Sequence, residues 1–368
     1  MVRLIATSIV ITACGLYTCS PSYAQYDSVW VAASDSYDKN SGLYKLLMGG
    51  NYRREWSTPV KMPVFDIRKV NRGMRPLKLG GGMQTKSLRL ADATGKKWVL
   101  RTVDKNVEKL FPEALRNSPA QRMMQDMVSA SHPYGALIVA ELAKTLGITS
   151  AAPQLFYVPD DTAFGEYRNV FSGKICFLEE RNPLTHGSVD DYEDIEAKMK
   201  KDNSYVVLKR EFLKARLLDM LVADWDRHEG QYRFVTIDSA GKKWVYPIPV
   251  DRDQAFFNSG GVMAGFAKAF TPFLKGYHNR PGNLKKLNYK ARAFDMKMMS
   301  GLTEADWSKG IAELQTKLTD DIIHYAVTQL PPEIYAINGK EIAETLIHRR
   351  DAFRTHALAY YSFLNRKK

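Results

Sequence analysis

Polar residues of several chemical types crowd into one short stretch, DWDRHEGQYRF, which spans Asp224 to Phe234. It follows directly after the apolar run LLDMLVA, where a buried-looking helix is expected to end. Ionisable groups beside a buried helix are costly unless they are paired or functional. The stretch therefore predicts a catalytic loop. The alternative is a charged surface turn in which Arg227 pairs with Asp224 and Asp226.

A second acidic motif, VDRDQAFF, begins at Val250 and contains Asp251 and Asp253. Between the two motifs, FVTI and WVYPIPV flank the turn DSAGKK, a pattern that predicts a β-hairpin. Phosphoryl transfer needs a carboxylate that orients the acceptor hydroxyl and oxygen ligands that hold a divalent metal on the phosphates. A loop carboxylate, a hairpin and a second acidic motif supply these groups in a suitable order. A salt-bridged strand end is the alternative for Asp251 to Asp253.

A glycine-rich turn lies upstream, in LKLGGGMQTKSLRLADATGKKWVLRTVDKN. SLRL and WVLRTV are strand-like and are joined by ADATGKK, which predicts a second hairpin. Gly80–Gly82 precede the first of these strands, and their backbone N–H groups are suited to binding phosphate. Arg101 ends the second strand, and Lys105 follows it. A flexible hairpin entry and an outward-facing arginine are the alternatives here.

The remaining pattern describes the elements that must position these groups. Ser118-Pro119-Ala120-Gln121 is a capping box that starts a helix, and Pro133 interrupts it. QLFYVPDD and KICFLEER predict strands, and apolar spacing predicts a helix over residues 206–222. Further helices are expected from near Thr303 and Gly339. The sequence thus predicts an α+β fold with a small strand-rich lobe followed by a larger helical lobe.

These motifs resemble the atypical protein-kinase-like superfamily, which includes phosphoinositide 3/4-kinases, HipA-like kinases, the secretory-pathway casein kinase and CotH-like kinases. The resemblance rests on DRHEGQ, from Asp226 to Gln231, and on VDRDQAF, from Val250 to Phe256, and it spans roughly residues 75–365. The longer string GGGMQTKSLRL, VLRTVDK, DWDRH and PVDRDQAFF is also similar to a group of large exported bacterial proteins.

The resemblance implies a two-lobed protein-kinase-like fold that uses Mg²⁺ or Mn²⁺ and ATP or another nucleoside triphosphate. It implies that Asp226 is the catalytic carboxylate and that Arg227 and His228 support its loop. The implied metal ligands are Asp251, Gln231 and Asp253. The implied nucleotide-binding residues are Gly80, Gly81, Gly82, Arg101 and Lys105.

Three departures from the family pattern bear on activity. Arg101 stands where the nucleotide-binding lysine is expected, and arginine is not a neutral replacement for lysine. Gln231 replaces the usual Asn or Glu. For the helix acid that pairs with the lysine, the candidates are Asp126 and Glu141. These departures favour an alternative in which the domain is catalytically inactive and binds an anionic ligand or partner at the cell surface.

Composition and charge limit the partners. The chain has 368 residues, 45% hydrophobic and 25% charged, which is enough for one large domain or two lobes. The net charge is +13, and removing residues 1–24 takes away one arginine, which gives 13 − 1 = +12. Positive charge favours anionic partners. No nucleic-acid-binding motif is present, so nucleic acid is not an expected partner.

The first 24 residues read as a secretory signal peptide, with Arg3, an apolar core and Ser22-Tyr23-Ala24 before the cleavage point. Within them, Ile11-Thr12-Ala13-Cys14 also matches a lipoprotein box, so a lipid tether at Cys14 is the alternative. No later segment approaches the roughly 20 apolar residues that span a bilayer. The expected location is the periplasm or the cell surface. Cys176 is expected to be a buried, inert thiol.

The predicted organisation is a signal peptide over residues 1–24, an N-terminal extension over 25–74, an N-lobe over 75–185 and a helical C-lobe over 186–368. The predicted function is an exported kinase-like phosphotransferase that moves a phosphoryl group from a nucleoside triphosphate to a hydroxyl acceptor. A third reading is a metal-dependent phosphohydrolase that uses Asp224 and Asp226 together with the second acidic motif. His348-Arg349-Arg350-Asp351 is read as a solvated helix face.

Overall fold

The computed structural model describes residues 27–38, 41–81 and 84–366. The predicted signal peptide, with Cys14, and the third glycine of the turn, Gly82, lie outside the described residues. The strands are β1 (Ser28–Val31), β2 (Val60–Pro63), β3 (Met74–Gly80), β4 (Ser87–Asp92), β5 (Lys97–Thr102), β6 (Gln154–Val158), β7 (Lys174–Glu180), β8 (Ser188–Asp190), β9 (Tyr205–Val207), β10 (Tyr232–Ser239) and β11 (Lys242–Pro249).

The strands form three sheets. A five-stranded antiparallel sheet has the order β3-β4-β5-β7-β6, and a four-stranded sheet has the order β8-β10-β11-β9. Strands β1 and β2 pair in a separate antiparallel ribbon. Both predicted hairpins are confirmed, because β4 pairs with β5 and β10 pairs with β11 in antiparallel register.

The two faces of the five-stranded sheet differ because successive side chains on a strand point to opposite sides. Leu88, Leu100 and Leu178 are buried in a hydrophobic cluster on one face. Their sequence neighbours Arg101 and Glu179 therefore belong to the other face. Cys176 lies in the same buried cluster, and burial raises the pKa of its thiol, so the expected inert thiol is confirmed as buried.

The helices of the described residues follow and partly surround the sheets. They are α1 (Gly42–Met48), α2 (Arg53–Ser57), α3 (Pro119–Asp126), α4 (Gly135–Thr145), α5 (Arg168–Phe171), α6 (Tyr192–Lys201), α7 (Lys209–Leu221), α8 (Gly261–Phe270), α9 (Leu284–Leu287), α10 (Arg292–Met298), α11 (Glu304–Lys317), α12 (Asp320–Val327), α13 (Pro332–Ile334) and α14 (Lys340–Leu364). None of these helices is long and apolar enough to cross a membrane.

Capping residues and a proline in the sequence correctly predicted where several helices begin or are interrupted. The Ser118 side chain accepts a hydrogen bond from the Gln121 backbone N–H, which confirms the predicted start of α3. The helical path is interrupted before Pro133 and resumes in α4, as expected. Thr303 caps α11 in a complete capping box with Asp306.

Two sequence expectations need correction. The helix predicted over residues 206–222 begins later, at Lys209, because Tyr205–Val207 pairs in parallel with β11 as strand β9. The supposed solvated face of α14 is solvated only in part. His348 is exposed, whereas Arg349 is buried, because its guanidinium reaches backbone carbonyls of another helix.

The architecture is α+β, as predicted. An antiparallel sheet with an intervening helical segment comes first, and a buried helix, α7, leads into the polar loop. The hairpin β10–β11 follows the loop, and the remaining elements are helices. This is the order of elements expected of a two-lobed protein-kinase-like fold.

Candidate functional site

One cleft of about 680 Å³ brings the two acidic motifs and the glycine-rich turn together. Its wall includes residues from the five-stranded sheet and from the loop and hairpin beyond α7. Of the residues singled out in the sequence, the following line it: Gly80, Gly81, Arg101, Lys105, Asp226, His228, Gln231, Asp251 and Asp253. Arg227 is absent from this wall because its side chain is buried beneath the loop.

Cations from the sheet meet the second acidic motif across the cleft. The Arg101 guanidinium contacts the Asp251 carboxylate directly and lies 3.4 Å from Glu179 on β7. The Lys105 ammonium lies 2.8 Å from Asp253 Oδ2. Burial opposes ionisation of Asp253, but Lys105 and Arg101 outweigh it and lower the pKa of that carboxyl. This end of the cleft thus already contains paired charges.

Neither helix acid considered from the sequence pairs with Arg101. The Asp126 carboxylate is buried against Arg53, with an Nη1 to Oδ1 distance of 2.9 Å. Glu141 lies 3.4 Å from Lys144 on its own helix. The carboxylate that Arg101 contacts within its own sheet is Glu179, from the neighbouring strand β7.

The loop after α7 is held in an uncommon backbone conformation. Ala223 has φ of +57°, in the left-handed region that costs a non-glycine residue about 1–2 kcal/mol. Asp224 follows, fully buried, and accepts a hydrogen bond from the Asp226 backbone N–H at 3.2 Å. Burial raises the pKa of Asp224 to about 7, and nearby carboxylates act in the same direction while Arg227 opposes them.

The Asp226 side chain is partly exposed, and it contacts a lysine that the sequence did not suggest. The ammonium of Lys290 lies 3.0 Å from Asp226 Oδ1. Lys290 also lies over the Trp225 ring, 4.4 Å from its centroid. Nothing in the sequence around Lys290 indicated this contact, because 64 residues separate it from Asp226.

His228 shapes the turn that presents Gln231. Its Nδ1 accepts a hydrogen bond from the Gly230 backbone N–H at 3.1 Å, which caps the short turn Glu229–Gln231. A Cβ at Gly230 would lie 2.8 Å from His228 Cε1, so a side chain there would collide with the imidazole ring. The contacts of His228 are those of a residue that positions the loop.

Arg227 joins the loop to the second acidic motif. Its Nη1 donates to the carbonyl oxygen of Val250 at 2.7 Å and to that of Asp251 at 3.2 Å. Its Nη2 donates to the Gln231 carbonyl oxygen at 3.1 Å. Because the side chain is completely buried, these bonds fix both cleft-lining segments from behind.

A buried aspartate that sequence reasoning missed, Asp219 on α7, anchors this arrangement. Its carboxylate accepts from Arg227 and Arg252, both at 3.1 Å, and from the Tyr232 hydroxyl at 3.1 Å. Arg216 lies 3.2 Å away. Burial opposes ionisation of Asp219, but the arginines outweigh it and lower its pKa to about 2. The available signal was an acid inside the apolar run LLDMLVA.

Arg349 on α14 was also missed as a site-supporting residue. Its Nε donates to the Leu221 carbonyl oxygen at 2.5 Å, and its Nη2 donates to that of Met220 at 3.0 Å. Both carbonyls lie in the last turn of α7, where the regular hydrogen bonds of the helix end. Burial lowers the pKa of Arg349 to about 10. The bonds fix the point from which the polar loop departs.

Two backbone features further shape the cleft wall. Asp251 has φ of +56°, and strained residues of this kind cluster at ligand and active sites. Gly81 has φ of +104°, and a Cβ there would lie 2.5 Å from the Thr85 carbonyl oxygen. Gly81 thus requires glycine, whereas Gly80 has no positive φ.

The donor set of the second motif is compatible with a hard cation. Asp251, Asp253 and Gln231 all carry side-chain oxygens on the cleft wall, the ligand type that Mg²⁺ prefers. Within the described residues, however, no group of three or more His, Cys, Asp or Glu side chains is arranged to hold a metal. The two-metal phosphohydrolase reading also placed Asp224 in the site, and this placement is wrong because Asp224 is buried and does not line the cleft.

Comparison with known proteins finds no matching family model and no matching curated sequence. Several solved structures match this chain at low identity and low TM-score. The proinflammatory kinase CtkA of Helicobacter pylori is 14% identical, with 78% of this chain and 96% of that chain covered and a TM-score of 0.40.

Two further structures are similar over most of the chain. HipA of Shewanella oneidensis, solved with HipB and operator DNA, is 13% identical, with 78% and 73% coverage and a TM-score of 0.38. The Golgi casein kinase is 12% identical, with 93% and 89% coverage and a TM-score of 0.36. These similarities are remote and show no activity, and the description of the fold as kinase-like rests on the order of elements in this chain.

Proposed function

We propose that the protein is a kinase-like phosphotransferase that uses this cleft to move a phosphoryl group from a nucleoside triphosphate to a hydroxyl acceptor. The observation that carries the proposal is the convergence of two acidic motifs and two sheet cations on one cleft. Asp226 comes from the loop, Asp251 and Asp253 follow the hairpin, and Arg101 and Lys105 come from the opposite wall.

Each group has a role that its chemistry supports. Asp226 accepts the proton of the acceptor hydroxyl as the new O–P bond forms and the bond to the leaving diphosphate oxygen breaks. Arg101 and Lys105 supply positive charge to the phosphates, and the Gly80–Gly81 turn supplies backbone N–H groups. Asp251, Asp253 and Gln231 are the residues that would hold Mg²⁺ or Mn²⁺, which supplies charge neutralisation on the phosphates when bound.

The proposal includes export, because residues 1–24 have the pattern of a secretory signal. A lipid tether at Cys14 remains the alternative anchoring mode. The site then faces the periplasm or the cell surface, and the acceptor hydroxyl belongs to a protein, lipid or glycan found there.

The test is isothermal titration calorimetry of Mg·ATP with the chain from residue 25 onward. We expect binding by the unaltered protein and at least about tenfold weaker binding by Asp251→Ala, because a charged ligand interaction is lost. Asp238→Ala, at an exposed aspartate near the end of β10, is the matched control and should bind as the unaltered protein does. Absence of binding by all three proteins would overturn the proposal.

A second candidate is a catalytically inactive module that binds an anionic ligand in the same cleft. The favouring observation is that Asp251 and Asp253 are already paired with Arg101 and Lys105. This candidate predicts ligand binding that persists in EDTA and weakens as salt concentration rises. Binding of nucleotide only when Mg²⁺ is added would exclude it.

A further inference from the structure

Three arginines line the same cleft beyond the acidic side chains, namely Arg89, Arg181 and Arg233, the last of which stands at the end of the first polar stretch. Arg89 on β4 lies opposite Val99, two residues along β5 from Arg101. Arg181 follows β7 and bonds through its backbone N–H to the carbonyl oxygen of Lys97, four residues from Arg101. At about 3.3 Å per strand residue, these positions lie about 7 and 13 Å from Arg101 along the strand. We call Arg89, Arg181 and Arg233 the outer arginines.

The outer arginines come from both walls of the cleft. Arg89 points away from the buried cluster of the sheet, since its neighbours Leu88 and Leu90 are buried in it. Arg233 belongs to β10, on the opposite wall, where its Nη1 donates to the carbonyl oxygens of Gly230 and Tyr232. A ligand that contacts all three would therefore bridge the sheet and the hairpin.

The outer arginines lie close enough to repel one another. Burial lowers the pKa of Arg181, and the charges of Arg89 and Arg233 lower it further. Arg233 is paired with Asp191 at 3.1 Å. Within the described ranges, the side chains of Arg89 and Arg181 make no ion pair and no side-chain hydrogen bond.

The neighbouring acids compensate this charge only in part, because Asp191 is the one carboxylate that acts on both Arg233 and Arg181. Glu180, the residue before Arg181, is bonded to Lys96 at 2.7 Å. At the inner end of the cleft, by contrast, Arg101 and Lys105 face the three carboxylates of Asp251, Asp253 and Glu179. These three carboxylates are already paired with Arg101 and Lys105. The inner end has an excess of negative charge and the outer end an excess of positive charge.

We propose that the outer arginines form a second anion subsite, which binds a phosphate group at the end of the ligand remote from the transferred phosphoryl group. Guanidinium groups bind phosphate bidentately, and an anion between them would relieve the repulsion that Arg89 and Arg233 exert on Arg181. The inference rests on the proposed function in one respect, namely that the 5′-phosphates occupy the inner end. The ligand class is then a nucleotide that carries an additional phosphate on its ribose.

The test compares ligands that differ by one phosphate. Calorimetric titrations use AMP, adenosine 2′,5′-bisphosphate, adenosine 3′,5′-bisphosphate and inorganic phosphate. The proteins are the unaltered chain, the double variant Arg89→Gln/Arg181→Gln, and the charge-matched control Arg54→Gln/Arg75→Gln, which removes two exposed arginines that do not line the cleft. Matching thermal unfolding curves establish that all three proteins are folded.

We expect at least one bisphosphate to bind the unaltered protein about tenfold more tightly than AMP, as a charge-assisted contact provides. The double variant should reduce this preference to about twofold or less, whereas the control should retain it. Arg89- and Arg181-dependent binding of inorganic phosphate, with no binding of these nucleotides or of Mg·ATP, would support the anion subsite and overturn the proposed function. Equal affinity for AMP and both bisphosphates, a preference that survives in the double variant, or no arginine-dependent binding of any probe would overturn the subsite.

Discussion

Two clusters of charge each contain residues of both motifs and have opposite surroundings. One is the buried cluster of Asp219, Arg216, Arg227 and Arg252, whose side chains are at most 7% exposed. The other is the cleft cluster, in which the side chains of Asp226, Asp251 and Asp253 are 21–28% exposed. The buried cluster is held by bonds within the protein, including the pair of Arg216 with Asp295, and the cleft cluster remains accessible to a ligand.

The difference shows that a charged motif does not act as one unit. Arg252 lies between Asp251 and Asp253 in the sequence, yet its side chain bonds to Asp219 in the buried cluster. Arg227 follows Asp226 directly and turns inward to the same carboxylate. The arginines of the motifs thus position the segments, and the aspartates beside them line the cleft.

The largest expected effect on stability comes from the centre of the buried cluster. Asp219→Asn keeps the shape of the side chain but removes the carboxylate charge beside the buried Arg227 and Arg252, while Arg216 keeps its pair with Asp295. We expect the free energy of unfolding to fall by about 3–5 kcal/mol, measured by urea denaturation. The control Asp238→Asn, at an exposed position, should change it by less than about 0.5 kcal/mol. A loss for Asp219→Asn as small as that of the control would show that the cluster does not hold the fold.

An intermediate, pH-dependent effect is expected at Asp224, which is buried beneath the cleft. Its pKa is raised to about 7 in the folded chain, so its contribution to stability is complete below its unfolded pKa near 4 and is lost as pH rises through 7. Asparagine does not ionise, so Asp224→Asn should not lose stability as the pH rises through 7. As the pH rises from 4 to 8, the difference in unfolding free energy between the variant and the unaltered protein should shift by about 1–3 kcal/mol in favour of the variant. Parallel stability curves across that range would contradict the assignment.

The smallest effect on stability is expected in the cleft cluster. The Asp226–Lys290 pair is partly exposed, and such pairs contribute about 0–1 kcal/mol. Asp226→Asn should therefore leave the free energy of unfolding within about 1 kcal/mol of the original while abolishing phosphoryl transfer. Lys290→Met should change stability equally little. A large stability loss in Asp226→Asn would place Asp226 with the buried cluster and remove the distinction between the two regions.

Much of the fold was predictable because its signals are local. The hairpin turns ADATGKK and DSAGKK, the Ser118 cap and the Thr303 cap act within a few residues, so the sequence expresses them directly. The start of α7 was misplaced because Tyr205–Val207 is strand only through its pairing with β11. That pairing depends on a partner about 40 residues away, which apolar periodicity does not reveal.

The residues of the candidate site also divide into those with a local sequence signal and those without one. The chemical types at Asp226, Asp251 and Asp253 were readable from the motifs, and so was their order along the chain. Lys290 and Arg349 were not, because each reaches the site from a segment with no motif of its own. The outer arginines were missed for a similar reason, since they come from three separate strands or strand ends.

The sequence by itself determined the α+β class, both hairpins, the helix caps and the two acidic motifs, since turn chemistry, capping and residue type are local properties. Only the tertiary structure decided which charges are buried and which line the cleft. It paired Arg101 with Asp251, turned Arg227 and Arg252 inward to Asp219, and placed positive charge at the outer end of the cleft. Burial and charge pairing depend on contacts between distant segments, and the direction of a side chain is fixed only when those segments pack.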